Sequence, residues 1–371
     1  VVKAAVVCSE ELWQTGHGEK HPLRPERLRR GYELLTAYEA FDGQHSRLIP
    51  PRPATTEELL LFHTEEYVRA VQSLSHGERE YAPARYNFGP GDNPVFESMY
   101  ELAALKVGAA IVATELVTSG EADVAFSLAG GMHHARPNYA HGFCIFNDVA
   151  VIIHSMLSRG LKVAYVDIDV HHGDGVQEAF YDTDRVLTVS VHESGSFIFP
   201  GTGFVRETGQ GVGRGFAVNL PLAPHTDDEV YVWAFEQVVP PLLEWFGPDV
   251  VVSQLGVDTH YLDPLAHLTL TTQGYTKVVS MIKNLAPRWI AFGGGGYEAS
   301  VMPRAWTLAY GIMSDIEFPD ELPLAYAAKY GPGTLRDRDK PHVEPRTKDV
   351  ARRHAALAIS ELKEKIPGLR Q

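Results

Sequence analysis

The segment Ala164-Tyr165-Val166-Asp167-Ile168-Asp169-Val170-His171-His172-Gly173-Asp174-Gly175 constrains this chain more than any other. An apolar run of strand character leads directly into three carboxylates and two imidazoles. Side chains two apart on a strand share a face, so Asp167, Asp169 and His171 are expected to point the same way. Two carboxylates buried side by side are costly unless a cation neutralises them. Asp and His one residue apart offer oxygen and nitrogen donors suited to Zn2+, Fe2+ or Mn2+. A solvated acidic turn after a strand is the plainer alternative.

Much of the chain repeats this strand-then-loop pattern. Strands are expected at residues 3–7, 123–128, 162–168, 185–191, 249–255 and 288–292, most of them continuously apolar, as strands covered on both faces are. Helices are expected at 96–117, 148–158, 227–245, 272–285 and 299–312, and Thr55-Thr56-Glu57-Glu58 reads as a capping box that opens another. The alternation predicts an α/β fold, a parallel sheet flanked by helices on both sides. Residues 329–354 are rich in Pro, Gly and charge and read as a linker, followed by a helix at about 350–365. The expected organisation is one catalytic domain over 1–328 with a peripheral tail and helix over 329–371.

Composition narrows the function classes. With 33 Lys+Arg against 47 Asp+Glu the net charge is −14, which argues against a sequence-independent grip on nucleic acid and suits cationic substrates. The two cysteines, Cys8 and Cys144, form neither a disulfide framework nor a Cys-x-x-Cys pair, so a reducing, cytoplasmic setting is expected. No run approaches the roughly 18 uninterrupted apolar residues of a membrane span, and no membrane association is expected. The apolar start up to Cys8 runs straight into Ser9-Glu10-Glu11 and reads as a first buried strand.

Three more elements share the placement of the first. Asp258, in Gln254-Leu255-Gly256-Val257-Asp258-Thr259-His260, follows a buried strand; alone it reads equally well as a cap or turn former. Together Asp169, His171 and Asp258 would give three ligands and leave a position open, as catalytic metal sites do. His133 and His134, in Gly130-Gly131-Met132-His133-His134-Ala135, could be bases, ligands or exposed polar residues; a base needs a partner on its far nitrogen, and Asp167 and Asp174 are the unassigned carboxylates. Gly293-Gly294-Gly295-Gly296-Tyr297 lacks the ending of a P-loop, and either presents Tyr297 as a donor to an oxyanion or simply packs a buried Tyr on a turn. All four elements fall at the C-terminal ends of expected strands, the edge where open parallel sheets place their ligands.

These motifs, together with His21-Pro22-Leu23-Arg24-Pro25-Glu26-Arg27, Gly89 to Pro94, His141-Gly142-Phe143-Cys144, Phe199-Pro200-Gly201-Thr202-Gly203 and Gly256-Val257-Asp258, resemble the histone deacetylase superfamily, specifically the bacterial acetoin-utilization-type deacetylases. The resemblance spans residues 2–315 in the family's order. It implies the arginase/deacetylase fold, a single domain around an eight-stranded parallel sheet. It implies zinc (with Fe2+ as the other candidate metal) on Asp169, His171 and Asp258. His133 and His134 would be the histidine pair, oriented by Asp167 and Asp174 respectively, and Tyr297 would polarise the amide carbonyl. Gly142, Phe143 and Phe199 would wall a narrow acyl-lysine tunnel. Asp92 would be the rim carboxylate, Leu265 an apolar rim residue and Arg27 an arginine of the internal acetate-exit region. Two structural K+ sites are implied, one at Asp167, Asp169, His171, Ser190 and Val191, the other at Phe180, Thr183 and Val186. Met132 departs from the aromatic residue of many eukaryotic members, which bears on the shape of the tunnel floor.

The reaction so implied is hydrolysis of an Nε-acyl-lysine amide on a protein or peptide. An acetylpolyamine amidohydrolase is the nearest rival, ranked second because no large insertion lies between Arg69 and Phe88. A binuclear manganese ureohydrolase would need further bridging ligands. A catalytically silent acyl-lysine binder would not need the full set of ligands, bases and Tyr. A Cys144 nucleophile is disfavoured by its apolar surroundings. The oligomeric state is left open.

Overall fold

The computed structural model describes every residue except Val1, Glu19, Asp42, Arg79 and Gln371. Its eight strands are β1 (Val2–Val7), β2 (Ser46–Ile49), β3 (Ala122–Ser127), β4 (Val163–Asp167), β5 (Val186–Glu193), β6 (Ala217–Leu222), β7 (Val250–Gln254) and β8 (Trp289–Phe292). They form one sheet in the order β2-β1-β3-β8-β7-β4-β5-β6, and every neighbouring pair is parallel. The chain therefore has the single-domain α/β architecture that its strand rhythm implies. Parallel neighbours need crossovers, and helices supply them.

The helices are α1 (Glu26–Ala37), α2 (Thr56–Leu59), α3 (Glu65–Ser75), α4 (Met99–Ser119), α5 (Asp148–Ser158), α6 (Asp174–Ala179), α7 (Asp228–Phe246), α8 (Thr272–Leu285), α9 (Met302–Ser314), α10 (Leu324–Tyr330) and α11 (Pro345–Lys365). Alternate residues of each central strand feed two separate cores. Ala164 and Val166, Leu187 and Val189, and Trp289 and Ala291 pack with α7, α8 and α9 on one face. Val163 and Tyr165, Val250 and Val252, and Ile290 and Phe292 pack with α3, α4 and α5 on the other. This two-sided burial is why the strands read as unbroken apolar runs. Helix α4 is apolar all round because the protein surrounds it. By length and composition it could cross a bilayer, but 67% of its most apolar stretch is buried inside the molecule.

The six expected strands are present, and β2 and β6 add two at the sheet's edges. Edge strand β6 carries Asn219 and Pro221; a proline is tolerated there because one side of the strand has no neighbour to bond. The capping box at Thr55 forms as expected, but α2 lasts only a single turn before Thr64 caps α3. The final helix starts earlier than its sequence suggests. The stretch expected to be linker up to residue 354 is helical from Pro345, and α11 packs on α7 and β6 through Ala351, Ala355, Ile359 and Leu362.

Candidate functional site

The four central strands β3, β8, β7 and β4 are adjacent in the sheet, and each delivers one of the four sequence elements. Their last residues stand side by side: Ser127 opposite Phe292, Phe292 opposite Gln254, and Gln254 opposite Asp167. Four loops thus leave the sheet at one level and converge.

Strand β4 ends at Asp167, yet its alternation carries on: Ile168 and Val170 join Ala164 and Val166 in one core, which leaves Asp167, Asp169 and His171 to the other side as expected. Asp167 bonds His133, Asp169 lies 3.9 Å from the other nitrogen of that ring, and in the turn that follows the strand His171 reaches both Asp169 and Asp258. The backbone makes this turn around the carboxylates, with Asp169 N–H donating to Asp167 Oδ1 and His171 N–H to Asp169 Oδ1, each at 3.0 Å. Val170 N–H reaches across to Asp258 Oδ1 at 2.9 Å.

Asp169, His171 and Asp258 are all buried and hold ligand atoms within 4.8 Å of one another. His171 Nδ1 lies 3.2 Å from a carboxylate oxygen of each aspartate. Burial opposes a charged His171, but the two flanking carboxylates outweigh it and push the ring up to about 10. Burial, and then the charge of Asp169, push Asp258 up to about 7. Two carboxylates and one imidazole in a dry cradle are a donor set short of positive charge, which a divalent cation would supply. The cradle is shaped by glycine: a Cβ on Gly256 would stand 2.2 Å from Asp169 Oδ2, and one on Gly295 would stand 2.1 Å from Asp258 Oδ2. The residues present fit a metal ion.

Beside this group stand the paired histidines. His133 Nδ1 bonds Asp167 Oδ2 at 2.8 Å, and His134 Nδ1 bonds Asp174 Oδ1 at 2.7 Å, with the ring centroids 4.0 Å apart. Each Nδ1 is thereby committed, leaving each Nε2 free for proton transfer. Burial lowers both rings, but Asp167 and Asp169 lift His133 to about 9, while the neighbouring His133 charge helps hold His134 at about 3. A pair in that state shares one proton and titrates as a unit. Tyr165 O–H adds a bond to Asp167 Oδ2 at 2.7 Å.

Tyr297 lines the same pocket, and burial followed by the charges of Asp258 and Asp169 push its phenol well above the usual range, so it remains a donor. Its N–H is held by Asp263 Oδ2 at 2.7 Å. Phe143 and Phe199 flank the entrance: Phe199 lies edge-on to His134 at 5.1 Å and Phe143 edge-on to Tyr297 at 5.9 Å. Between them Gly142 (φ +53°) leaves no room for a side chain, since a Cβ would lie 2.6 Å from the His134 ring and 2.8 Å from Phe199. Phe143 itself sits at φ +70°, a strained conformation that aims its ring at the pocket.

Asp92 is exposed, and its carbonyl accepts from His21 Nε2 at 3.2 Å. Leu265 is half-buried next to Asp263, to which its N–H donates. Arg27 is buried under the glycine turn, bonded to the Gly294 and Gly296 carbonyls, with its guanidinium 5.2 Å from the Tyr297 ring. Ser190 pairs with Asp167 in register, and its hydroxyl bonds His192 Nδ1 at 2.7 Å. The Val191 carbonyl accepts from Tyr231 O–H. Phe180, Thr183 and Val186 lie along the connection from α6 to β5. Cys144 is buried and its thiol is pushed up by burial, which leaves it inert as a nucleophile.

Several contributors escaped the sequence reading. Asp148, at the start of α5, accepts the N–H groups of Gly131 at 2.9 Å and Met132 at 2.8 Å and so fixes the loop carrying both histidines. Gln254 Nε2 donates to the Gly131 carbonyl at 2.9 Å. Arg136 binds Asp174 Oδ2 at 2.6 Å. That guanidinium fills the place of a cation in the second cluster of potential ligands, His134, His141 and Asp174. Each of these is a common polar residue whose partner is distant in sequence, and only the Asn147 cap before Asp148 leaves a local trace.

Comparison with known proteins places this geometry. Residues 21–313 match the model of the histone deacetylase domain. The chain is 40% identical over 320 residues to the acetoin utilization protein AcuC of Bacillus subtilis, covering 84% of this chain and 82% of that one. It is 37% identical over 333 residues to histone deacetylase clr6 of Schizosaccharomyces pombe, covering 89% and 82%. Among solved structures it resembles a histone deacetylase homolog from Aquifex aeolicus, with a TM-score of 0.85, 33% identity, and coverage of 95% of this chain and 99% of that one. A histone deacetylase homolog complexed with SAHA is equally similar, with a TM-score of 0.85 at 32% identity.

Proposed function

The chain belongs to the histone deacetylase family and is an amidohydrolase, and from that premise we propose that it hydrolyses the Nε-acyl amide of lysine side chains on proteins or peptides, with zinc as its metal. The observation that carries this reading is the facing of two groups across one pocket: the histidines with their carboxylates, and the Asp169, His171 and Asp258 cradle. The chemistry a zinc ion on those three residues supplies is polarisation of the amide carbonyl and acidification of the attacking water.

The protein's own side chains account for the rest. Phe143, Gly142 and Phe199 form a slot that fits an unbranched alkyl chain and excludes bulk water. The histidine pair takes a proton from the attacking water and returns one to the departing amine nitrogen, while Asp167 and Asp174 keep each Nδ1 committed. Tyr297 O–H donates to the carbonyl oxygen as negative charge develops on it. Arg27 holds the turn that carries Tyr297. Asp92 is the rim acceptor for the substrate backbone and Leu265 an apolar rim contact. K+ at Asp167, Asp169, His171, Ser190 and Val191, and at Phe180, Thr183 and Val186, belongs to the same reading.

A protein substrate is favoured over a polyamine by Phe199, an exposed apolar ring packed edge-on to His134 and of a kind that packs on a peptide. The test compares kcat/KM on an acetyl-lysine peptide and on acetylspermidine for the zinc-loaded protein. A peptide preference of about tenfold or more is expected. The reverse ratio would assign the acetylpolyamine reaction instead, and no turnover of either would leave a binder.

A further inference from the structure

The rim loop between β7 and α8 is pinned by two buried carboxylates. Glu193, at the end of β5, is fully buried and accepts from both the N–H and the ring Nδ1 of His267, each at 2.8 Å. Asp263, only 7% exposed, accepts the Leu265 N–H on Oδ1 at 2.9 Å and the Tyr297 N–H on Oδ2 at 2.7 Å. Its own N–H donates to the His260 carbonyl at 2.9 Å, so backbone and side chain are both fixed. One carboxylate thus joins two loops that leave different strands, β7 and β8.

That placement is electrostatically adverse. Asp263 adds a third negative charge beside the cradle, where it opposes ionisation of Asp258 and of Tyr297. A carboxylate has a merit that offsets this: it offers two acceptor oxygens and no donor, whereas an amide would turn its NH2 on one of the two N–H groups. Tyr297 in turn needs an anchor. It follows four consecutive glycines, of which Gly294 (φ +68°) and Gly296 (φ +122°) adopt positive φ, and such a run does not fix its own direction. Arg27 and the Val257 N–H hold carbonyls of that run. Among the described side chains, Asp263 alone hydrogen-bonds Tyr297 itself.

We propose that Asp263 is a positioning residue for hydrolysis: by holding the Tyr297 N–H it sets where the phenol stands against the scissile carbonyl. The inference rests on the deacylase reading and names the part of the rim on which the donor depends. Leu265 occupies the other oxygen, which keeps the carboxylate from rotating away, and the His267–Glu193 pair holds the far end of the loop. A misplacement of about 1 Å can cost about 100-fold in rate. Substrate affinity, supplied by the walls of the slot, does not depend on that placement.

The experiment is a double-mutant cycle on the zinc-loaded protein, with wild type, Asp263→Asn, Tyr297→Phe and their combination acting on an acetyl-lysine peptide. Asp263→Asn alone is expected to lower kcat by about 10- to 100-fold, with KM within about threefold and bound zinc unchanged. Added to Tyr297→Phe, it is expected to lower kcat by no more than about threefold, since no hydroxyl is left to misplace. Losses that multiply in the combined variant overturn the proposal, because Asp263 would then act on the cradle or the fold. A second arm needs no turnover and measures by calorimetry the affinity for a short alkyl hydroxamate. That probe chelates zinc through two oxygens, one of them a carbonyl of the kind Tyr297 would donate to. Asp263→Asn is expected to weaken it by about fivefold or more with Tyr297 present, and to leave it unchanged in the Tyr297→Phe background. Equal affinity in wild type and Asp263→Asn overturns the proposal. If wild type turns over no acyl-lysine peptide, the deacylase reading fails, while the hydroxamate cycle still decides what holds Tyr297. Asp263→Ser carries both arms if Asp263→Asn does not keep the thermal midpoint of wild type.

Discussion

His63 Nε2 accepts the backbone N–H of Asn147 at 2.9 Å, so the ring must be neutral, with its proton on Nδ1 facing the Pro137 carbonyl at 3.3 Å. Asn147 caps α5, and the next residue, Asp148, holds the loop of the paired histidines. A neutral imidazole thus underlies the support of the site. Burial pushes His63 down to about 3, against about 6.5 in an unfolded chain. Below pH 6.5 the unfolded state therefore binds the extra proton, and folding stability falls as pH drops towards 3. At pH 5 this one group costs about 2 kcal/mol relative to pH 7.5. Urea unfolding of wild type and His63→Gln at both pH values checks it: the variant is less stable at pH 7.5 but loses less on acidification. Identical pH slopes would show that His63 is not the group responsible.

Tyr297→Phe removes the only side-chain hydroxyl among the described residues that line the pocket, while leaving the ring packing against Phe143. We expect kcat to fall by about two to three orders of magnitude with bound metal unchanged. Turnover near that of wild type would remove the donor role.

Stripping the metal with a chelator should abolish hydrolysis and lower the thermal midpoint, because Asp169 and Asp258 are then left without a compensating cation. Stepwise return of zinc should restore both, saturating near one equivalent. Saturation at two would point to a second ion and a different mechanism.

Gly256→Ala places a methyl group 2.2 Å from Asp169 Oδ2, so the carboxylate must move. The expected result is loss of metal affinity by about tenfold or more with little change in the global fold. Equilibrium dialysis reads the affinity and circular dichroism the fold; unaltered affinity would mean that the cradle is more compliant than its contacts imply.

Asp148→Ala deletes an acceptor shared by two loop N–H groups, at about 1.5–3 kcal/mol for a charge-assisted bond of this kind. It touches none of the three proposed ligands, so metal content should persist while kcat/KM collapses. Parallel loss of metal and activity would show that the loops are coupled more tightly than this.

The sheet and the chemistry were legible in the sequence for different reasons. Runs such as residues 162–168 and 249–255 announce strands because both faces are buried, and their polar endings stand out by contrast. Edge strand β2, with Ser46 and Arg47 in four residues, has no such run, and Pro221 hides β6. Helix α1 was missed because charged residues interrupt it and no side-chain cap marks its start. The ligand, base and donor side chains lie in motifs a few residues long, so the eye finds them. Asp148, Gln254 and Arg136 act on residues up to 123 positions away, and nothing local marks that. The period-two alternation runs on past the end of β4, with Ile168 and Val170 in the same core as Ala164 and Val166, so the side shared by Asp167, Asp169 and His171 was legible too.

The common row formed by Ser127, Phe292, Gln254 and Asp167 bears on how such a protein can change over generations. One residue inserted within any of those strands would advance its loop by about 3.3 Å against the other three and separate the histidines, the cradle and Tyr297. Residues added farther out, at the loop tips, would disturb none of them. Length variation is therefore free at the mouth, where substrates are chosen, and forbidden along the row, where they are cleaved.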